Sequence, residues 1–316
     1  MFRLLDTESL MYRIGSLFSG IGGLELGLER SGLGKTVWYS EIDKVSSQVY
    51  ASHWDVPNLG DITEIDWTNV PSVDVVCGGF PCQPFSQKGK GRGVKDKRWL
   101  WSYIHECLAT LQPRWVVLEN VRGLLFKTHR ATAFDPICDD LRSMGYSIAY
   151  GIYGASDVGA PHPRKRLLIV ASTETVSELE VLHLDIPSEW GNPHRPLLRT
   201  PLAQDEPYYQ RNKHYWNVYK RLASPSEWIT PYLPAIHHWE ERMDEPIPPF
   251  VRPDGTANIE VIRWMMGFPP NWIPQPYLPK RNHQYGNAVV PQLAERLGEY
   301  ILRHERNSRQ LGSILA

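Results

Sequence analysis

A cysteine between two prolines is the residue of this sequence best suited to nucleophilic chemistry. Cys82 lies in the segment GGFPCQPFS, residues 78–86, shortly after the apolar run from Val73 to Val76. Such a run is typical of a buried parallel strand, and open α/β sheets bind ligands beyond the carboxyl ends of their strands. Cys82 is therefore a candidate nucleophile. The alternative is a small apolar side chain that fills a turn.

Two charged segments could assist such a nucleophile. Glu119 follows the apolar residues 115–118 and should lie at the same edge of the sheet as Cys82. Partial burial makes a carboxyl group hold its proton more tightly, so Glu119 could donate to a ring nitrogen. Arg164 and Arg166 share a face in an extended segment and could brace an anionic or carbonyl group. An exposed glutamate at a turn and a surface charge run are the alternatives.

Three successive strand ends carry residues suited to a nucleoside ligand. The segment FSGIGG, residues 18–23, can form a tight turn before a helix but lacks the full G-x-G-x-x-G of a dinucleotide site. Glu41 follows the next strand, where a carboxylate can bind ribose hydroxyls, and Asp61 could accept from an adenine amine. Together they indicate a nucleoside cofactor without a pyrophosphate. A packing turn, a solvated carboxylate and an Asx turn are the respective alternatives.

Two later segments add a basic loop and an amide. Residues 88–98 contain six cations separated by three glycines, directly after the cysteine segment. Such a loop could close over a phosphate backbone or could only aid solubility. Asn287 lies in a turn that leads into the last helical pattern, where it could contact a ligand or cap the turn.

Alternating short apolar runs and longer amphipathic segments must position these groups. Between Arg13 and Val170 the alternation predicts a parallel sheet with crossover helices. We expect strands near residues 13–18, 36–39, 73–76, 115–118, 147–150 and 167–170. Helices are expected around residues 24–28, over 101–111 and over 291–302. Residues 187–276 are dense in proline, tryptophan and tyrosine, which predicts a second domain.

Length and composition narrow the functional classes. The 316 residues are 42% hydrophobic, enough for one large core or a core with a smaller second domain. The net charge is only −1, so any binding to nucleic acid must come from a local patch. Four cysteines without a CxxC spacing indicate neither disulfides nor a zinc site. Without a signal-peptide pattern or a long apolar run, we expect a cytoplasmic protein that binds no metal and no membrane.

In their order along the chain, these segments resemble the motifs of the cytosine-5 DNA methyltransferase family. The resemblance covers roughly residues 13–170 and 259–316, and Pro81-Cys82 and Glu119-Asn120-Val121 are its most specific parts. It implies an α/β fold with a Rossmann-like, parallel-based sheet and helices on both faces. It also implies a catalytic and cofactor-binding domain over 1–175, completed by 284–316. A smaller, irregular target-recognition domain with its hinge would occupy 176–283.

The resemblance implies a role for each matching residue. Cys82 corresponds to the nucleophile, Glu119 to the acid that contacts cytosine N3, and Arg164 and Arg166 to the arginines that support the base and the cysteine loop. The family usually has glutamine where this chain has His162. The implied cofactor, S-adenosylmethionine, would be bound by Phe18, Gly20, Ile21, Gly22, Glu41, Asp61, Pro81 and Asn287. DNA would be bound by Ser86, Lys88, Lys90, Arg92, Lys95 and Arg98.

The implied reaction transfers a methyl group to C5 of cytosine in a specific sequence of double-stranded DNA and leaves S-adenosylhomocysteine. It would proceed through a covalent bond between Cys82 and C6 of a flipped base. A cognate restriction endonuclease could accompany the protein without being needed for activity, and we expect a monomer. The alternatives are a tRNA cytosine-5 methyltransferase and a DNA-binding relative that has lost activity.

Overall fold

The computed structural model describes residues 11–81, 100–126, 132–173, 180–192, 232–249, 258–274 and 281–315. Seven strands in these ranges form one sheet with the order β2-β1-β3-β4-β6-β5-β7. The strands are β1 Tyr12–Leu17, β2 Gly34–Ser40, β3 Val75–Gly79, β4 Trp115–Val121, β5 Ser147–Tyr153, β6 Arg166–Ser172 and β7 Glu180–Val181. The six strands expected from the sequence are therefore confirmed, and the short β7 was not predicted.

Eight α-helices lie in the same ranges. They are α1 Gly23–Arg30, α2 Lys44–Ala51, α3 Trp101–Leu111, α4 Phe134–Ser143, α5 Leu233–Met243, α6 Glu260–Met265, α7 Arg281–Asn287 and α8 Pro291–Leu315. The three expected helices correspond to α1, α3 and α8. Gln112 follows α3 in the left-handed conformation, with φ of 46°, and Pro113 then prevents the helix from continuing.

Strand direction separates the sheet into two parts. β1 pairs in parallel with β2 and β3, and β3 pairs in parallel with β4. β6 runs antiparallel to both β4 and β5, so the parallel-based sheet is confirmed but the parallel direction and crossover helix expected for β6 are wrong. Residues 154–165 connect β5 to β6 through one short 3₁₀ turn, Ala155–Val158, instead of the crossover helix that usually joins parallel strands. An apolar run shows that a strand is buried but does not show its direction.

Helices cover both faces of the sheet, as expected. On β3, Val76 packs on one face with Ile104 of α3 and Ile137 of α4. Val75 and Cys77 point to the other face. There they join a cluster that also includes Leu24 of α1 and Leu297 of α8. Residues adjacent along a strand point to opposite faces, so burial on both sides explains the unbroken apolar runs of the sequence.

A separate apolar cluster joins helices α5 and α6 to the turn after β1. Trp239 of α5 and Trp264 of α6 are both fully buried in it, and the Trp239 indole N–H donates to the Trp264 carbonyl at 2.8 Å. Ile21, from the turn after β1, belongs to the same cluster. Helices α5 and α6 were not predicted, although Leu233, Ile236, Trp239 and Met243 of α5 recur at helical spacing.

Candidate active site

The turn after β1 has the backbone geometry of a ligand-binding turn. Phe18, Gly20 and Gly22 all have positive φ, of 52°, 56° and 82°. A Cβ on Gly22 would lie 2.3 Å from the Trp54 ring, so only glycine fits there. A Cβ on Gly20 would meet nothing within 4 Å. The turn is therefore tightly packed at Gly22 and open at Gly20.

Glu41 joins this turn to the end of β2. Its Oε2 accepts from the Gly20 N–H at 2.7 Å and its Oε1 accepts from the Asp43 N–H at 2.7 Å. Burial raises the pKa of the Glu41 carboxyl above its ordinary value, and the two backbone hydrogen bonds oppose that shift. The carboxylate is thus held by two backbone segments and is not a freely solvated loop group.

Asn58, which sequence reasoning missed, fixes the segment that leads to Asp61. This segment follows α2 and not a strand, so the expected strand end before Asp61 is wrong. Its Oδ1 accepts from the N–H groups of Glu41 and Gly60, at 3.1 and 3.0 Å, and its Nδ2 donates to the Glu41 carbonyl at 3.0 Å. Asp61 Oδ1 in turn accepts from the Thr63 N–H and hydroxyl, both at 2.9 Å. Asp61 therefore caps the short 3₁₀ turn Ile62–Glu64, as the Asx-turn alternative of the sequence analysis expects. Asn58 two residues before a glycine is a common turn signal that could have identified it.

The antiparallel pairing of β4 and β6 brings the predicted acid and one arginine together. Glu119 lies opposite Leu168, and Arg166 lies opposite Val121. The Arg166 Nε is 2.8 Å from Glu119 Oε1, and each side chain is only about a tenth exposed, at 11% and 10%. On the parallel neighbour β3, Gly79 pairs with Glu119, and a Cβ there would lie 3.0 Å from Glu119 Oε2. A side chain at Gly79 would crowd the second carboxylate oxygen.

Asn120, next to the acid, holds the end of β3. Its side-chain amide donates to the Phe80 carbonyl at 3.0 Å, and its oxygen accepts from the Val121 N–H at 2.8 Å. Asn120 is buried, at 2% exposure. Phe80 leads directly into Pro81, so Asn120 fixes the point from which the cysteine segment leaves the sheet. Sequence reasoning matched this residue to a motif but gave it no role.

Arg164 connects the arginine segment to the C-terminal turn. Its Nη2 donates to the Ala288 carbonyl at 2.8 Å. Burial lowers the pKa of Arg164 to about 9, and the positive charge of Arg166 adds to the effect. Asn287, the neighbour of Ala288, is exposed, and its amide lies 3.3 Å from the His283 Nδ1. The predicted Arg164 and Asn287 therefore lie on two backbone segments that touch.

The residue where the family usually has glutamine is a buried, neutral histidine. His162 Nε2 lies 2.8 Å from the Met265 carbonyl of α6, so this nitrogen carries the hydrogen and donates it. Burial lowers the pKa of His162 to about 3. A matching contact comes from Trp272, whose indole N–H donates to the Ile21 carbonyl at 2.8 Å. The segments after α5 thus contact both the arginine segment and the β1 turn.

The described residues divide the predicted site into two groups. Phe18, Gly20, Ile21, Gly22, Glu41 and Asp61 lie at the ends of β1 and β2 and in the segment after them. Pro81, Glu119, Arg164, Arg166 and Asn287 lie at or beside the ends of β3, β4 and β6. Cys82, Ser86, Lys88, Lys90, Arg92, Lys95 and Arg98 lie outside the described residues.

The other cysteines are unsuited to nucleophilic attack. Cys77, Cys107 and Cys138 are free and buried. Burial raises the pKa of all three, in the case of Cys138 to about 11, so their thiols stay protonated at neutral pH. In the described ranges no cluster of three or more His, Cys, Asp or Glu side chains could bind a metal ion. None of the helices described there has both the length and the apolar composition to span a bilayer.

Comparison with known proteins identifies the family. The model of the C-5 cytosine-specific DNA methylases matches residues 12–237. The type II methyltransferase M.BsuFI of Bacillus subtilis is 41% identical over 294 residues, which are 88% of this chain and 69% of that protein. M.NgoBI of Neisseria gonorrhoeae is 40% identical over 168 residues, 52% of each chain, so the match spans about half of that relative's length.

A solved structure supports the fold. The Dnmt2 methyltransferase of S. pombe superposes with a TM-score of 0.62 at 16% identity, over 92% of this chain and 98% of that one. At this identity the likeness concerns the fold alone. The α/β fold implied by the motifs and the family that they resemble are both confirmed. The chain belongs to the family of C-5 cytosine-specific DNA methylases.

Proposed function

We propose that the protein transfers a methyl group from S-adenosylmethionine to C5 of cytosine within a specific sequence of double-stranded DNA. The observation that carries the proposal is the buried Glu119–Arg166 ion pair at the carboxyl end of β4. It lies beside the β3 end that leads through Pro81 to Cys82. A carboxyl group and a thiol at one edge of a sheet are the groups that activation of a cytosine ring requires.

The first two strand ends fit the methyl donor. The open side of Gly20, and of Gly60 beside Asp61, leaves room next to two backbone turns. Glu41 is already fixed by the Gly20 N–H, so its remaining lone pairs are suited to ribose hydroxyls. The residues that would hold the donor are Phe18, Gly20, Ile21, Gly22, Glu41, Asp61, Pro81 and Asn287. When bound, S-adenosylmethionine supplies a methyl group activated by a positively charged sulfur.

Cys82 and Glu119 prepare the cytosine. The C5 atom of cytosine is a poor nucleophile until the ring gains electron density. Attack of the Cys82 thiolate on C6, with a proton shared from Glu119 at N3, turns C5 into the nucleophilic carbon of an enamine. After C5 has accepted the methyl group, water takes the C5 proton, the C6–S bond breaks to release Cys82 as a thiolate, and N3 returns its proton to Glu119, which restores the aromatic ring.

Arg164 and Arg166 are proposed to assist Cys82 and Glu119, respectively. An ordinary thiol with a pKa of about 8.5 is only a few per cent ionised at neutral pH, so a nearby cation favours attack. Arg164 is the proposed cation for Cys82, since it lies two residues before Arg166, whose partner Glu119 pairs with Gly79 at the end of β3. Arg166 fixes the orientation of Glu119 through their contact at 2.8 Å.

The target base must leave the duplex before Cys82 can reach it. Flipping costs about a few kcal/mol, and the basic residues after Cys82 are the proposed source of compensating phosphate contacts. These residues are Ser86, Lys88, Lys90, Arg92, Lys95 and Arg98.

The proposed organisation follows the motif order. Residues 1–175 with 284–316 form the catalytic and cofactor-binding domain, and 176–283 form the target-recognition domain. The packing of α8 against α1 supports the first assignment. We further propose a cytoplasmic monomer that acts without its cognate restriction endonuclease.

A labelled methyl donor tests this function. The protein is incubated with tritiated S-adenosylmethionine and either complex duplex DNA or total tRNA, and the modified DNA is then sequenced after bisulfite treatment. We expect label in DNA and protected cytosines within one short recurring sequence. Label in tRNA alone, or in neither nucleic acid, would reject the proposal.

A further inference from the structure

A carboxyl group that the proposed mechanism does not use is buried beneath the turn after β1. Glu25 lies in the first turn of α1, and its side chain is buried, at 1% exposure. An acid near a helix N-terminus is favoured by the helix dipole. Full burial of a carboxylate is nevertheless costly unless its oxygens are well bonded. The partners of Glu25 therefore decide what it can do.

A chain of hydroxyl groups links Glu25 to the turn. The buried Ser16 of β1 donates its hydroxyl hydrogen to Glu25 Oε1. The Ser16 Oγ also lies 2.7 Å from the Ser19 Oγ. Ser19 is itself the backbone anchor of the turn, since its N–H donates to the Ser40 carbonyl and its carbonyl accepts from the Gly22 N–H. The carboxyl group thus contacts the turn through two serines.

The surroundings leave the charge of Glu25 uncompensated. Glu25 Oε2 has no hydrogen-bond partner within the described part of the chain. The ionisable groups that act on the site are Glu29 of α1, Glu41 after β2, Tyr50 of α2 and Cys77 of β3, and none of them is a cation. Burial, with smaller contributions from Glu29 and Glu41, raises the pKa of Glu25 to about 7. Its proton is therefore exchanged within the neutral range.

We propose that Glu25 is a positioning residue for the methyl donor, acting through Ser16 and Ser19 on the turn that binds it. In the ionised form, Glu25 accepts from Ser16 and Ser16 accepts from Ser19, so one charge-assisted chain holds Ser19 against β1. In the protonated form, the carboxyl O–H can donate to Ser16. The charge-assisted hydrogen bond from Ser19 to Ser16 is then no longer fixed. The ionised form therefore holds the turn in its binding geometry. This inference rests on the proposed use of the turn for S-adenosylmethionine.

The test is the pH dependence of donor affinity in the full chain without DNA. Isothermal titration with S-adenosylmethionine and S-adenosylhomocysteine is carried out between pH 6 and pH 8.5. For the unaltered protein we expect affinity to rise about 3- to 10-fold across this range, the difference between a charge-assisted and a neutral hydrogen bond. Glu25→Gln keeps an acceptor for Ser16 but cannot ionise, so its affinity should stay nearly constant with pH. Glu106→Gln, on the exposed face of α3, is the matched control and should behave as the unaltered protein.

A second variant separates the hydroxyl chain from the acid. Ser19→Ala leaves Glu25 in place but removes the link, so it too should lose most of the pH dependence. It also provides the test if Glu25→Gln does not fold. Retention of the full pH dependence in Glu25→Gln or in Ser19→Ala, or its absence from the unaltered protein, would overturn the inference. Failure of the unaltered protein to bind either nucleoside at any pH would contradict the proposed cofactor site itself.

Discussion

Two buried glutamates at the two halves of the site are held in opposite ways. Glu119 on β4 contacts the Arg166 guanidinium at 2.8 Å. Glu25 on α1 accepts from the hydroxyl of Ser16 and pairs with no cation in the described part of the chain, and the charges that act on it there, Glu29 and Glu41, are negative. A paired cation stabilises the ionised carboxylate. A hydroxyl can donate to the ionised carboxylate or accept from the protonated acid, so it favours neither form strongly. The half of the site proposed for chemistry is therefore fixed by an ion pair, whereas the half proposed for the methyl donor keeps a carboxyl group whose pKa lies at about 7.

The largest loss of methyl-transfer rate is expected when Glu119 can no longer donate a proton. Glu119→Gln should lower the single-turnover rate of methyl transfer about 100- to 10,000-fold, because a positioned general acid contributes about that much. Donor affinity should change less than about twofold, since Glu119 lies in the other half of the site. Rapid-quench kinetics and titration calorimetry on the same preparation provide both values. An unchanged rate, or a loss confined to donor affinity, would remove the distinction between the two acids.

Breaking the ion pair from the other side should cost stability. Arg166→Met leaves Glu119 buried without its cation, which should lower the free energy of unfolding by about 3 kcal/mol. Adding Glu119→Gln to this variant removes the unpaired charge and should recover most of that loss without recovering activity. Urea denaturation measures all three proteins. Arg142→Met serves as control, because its ion pair with Asp139 is exposed and should contribute little. Equal stability of the Arg166→Met and Arg142→Met variants would show that the buried pair is not special.

Glu25 should instead make the free energy of unfolding depend on pH. The pKa of Glu25 rises from 4.5 in the unfolded chain to about 7 in the folded one, so the folded state binds the proton more tightly. Its contribution to stability is therefore largest below pH 4.5 and decreases as the pH rises to about 7. Between pH 5 and pH 8, Glu25→Gln should gain about 1 to 3 kcal/mol relative to the unaltered protein. Urea denaturation at the two pH values measures this gain, and parallel curves for both proteins would contradict it.

The strands and the site residues at their ends could be predicted from the sequence. The contacts between those residues could not. An apolar run such as 115–118 shows by composition alone that the following Glu119 lies at a strand end. That β6 runs antiparallel, and so brings Arg166 to Glu119, depends on the absence of a helix in residues 154–165. Asn120 bonds to Phe80, 40 positions away, and no local pattern records such a contact.

Glu25 shows the same limit within a correctly predicted helix. An acid in the first turn of α1 is ordinary by its position, and the helix dipole alone explains it. Its surroundings come from distant segments, since Tyr50 of α2 and Cys77 of β3 lie close enough to interact with it, and its proposed role depends on Ser16 and Ser19. Helix α5 was missed although its apolar residues recur at helical spacing, because the proline- and tryptophan-rich stretch around it was interpreted as irregular.

The transient bond between Cys82 and C6 of cytosine can be trapped and detected directly. Duplex DNA containing 5-fluorocytosine at every cytosine presents whichever sequence the protein recognises, and the fluorine cannot leave as a proton does. With S-adenosylmethionine present, we expect a protein–DNA adduct that survives denaturing electrophoresis, maps to Cys82 by mass spectrometry and is absent from Cys82→Ala. Absence of any adduct, or an adduct that persists in Cys82→Ala, would contradict it.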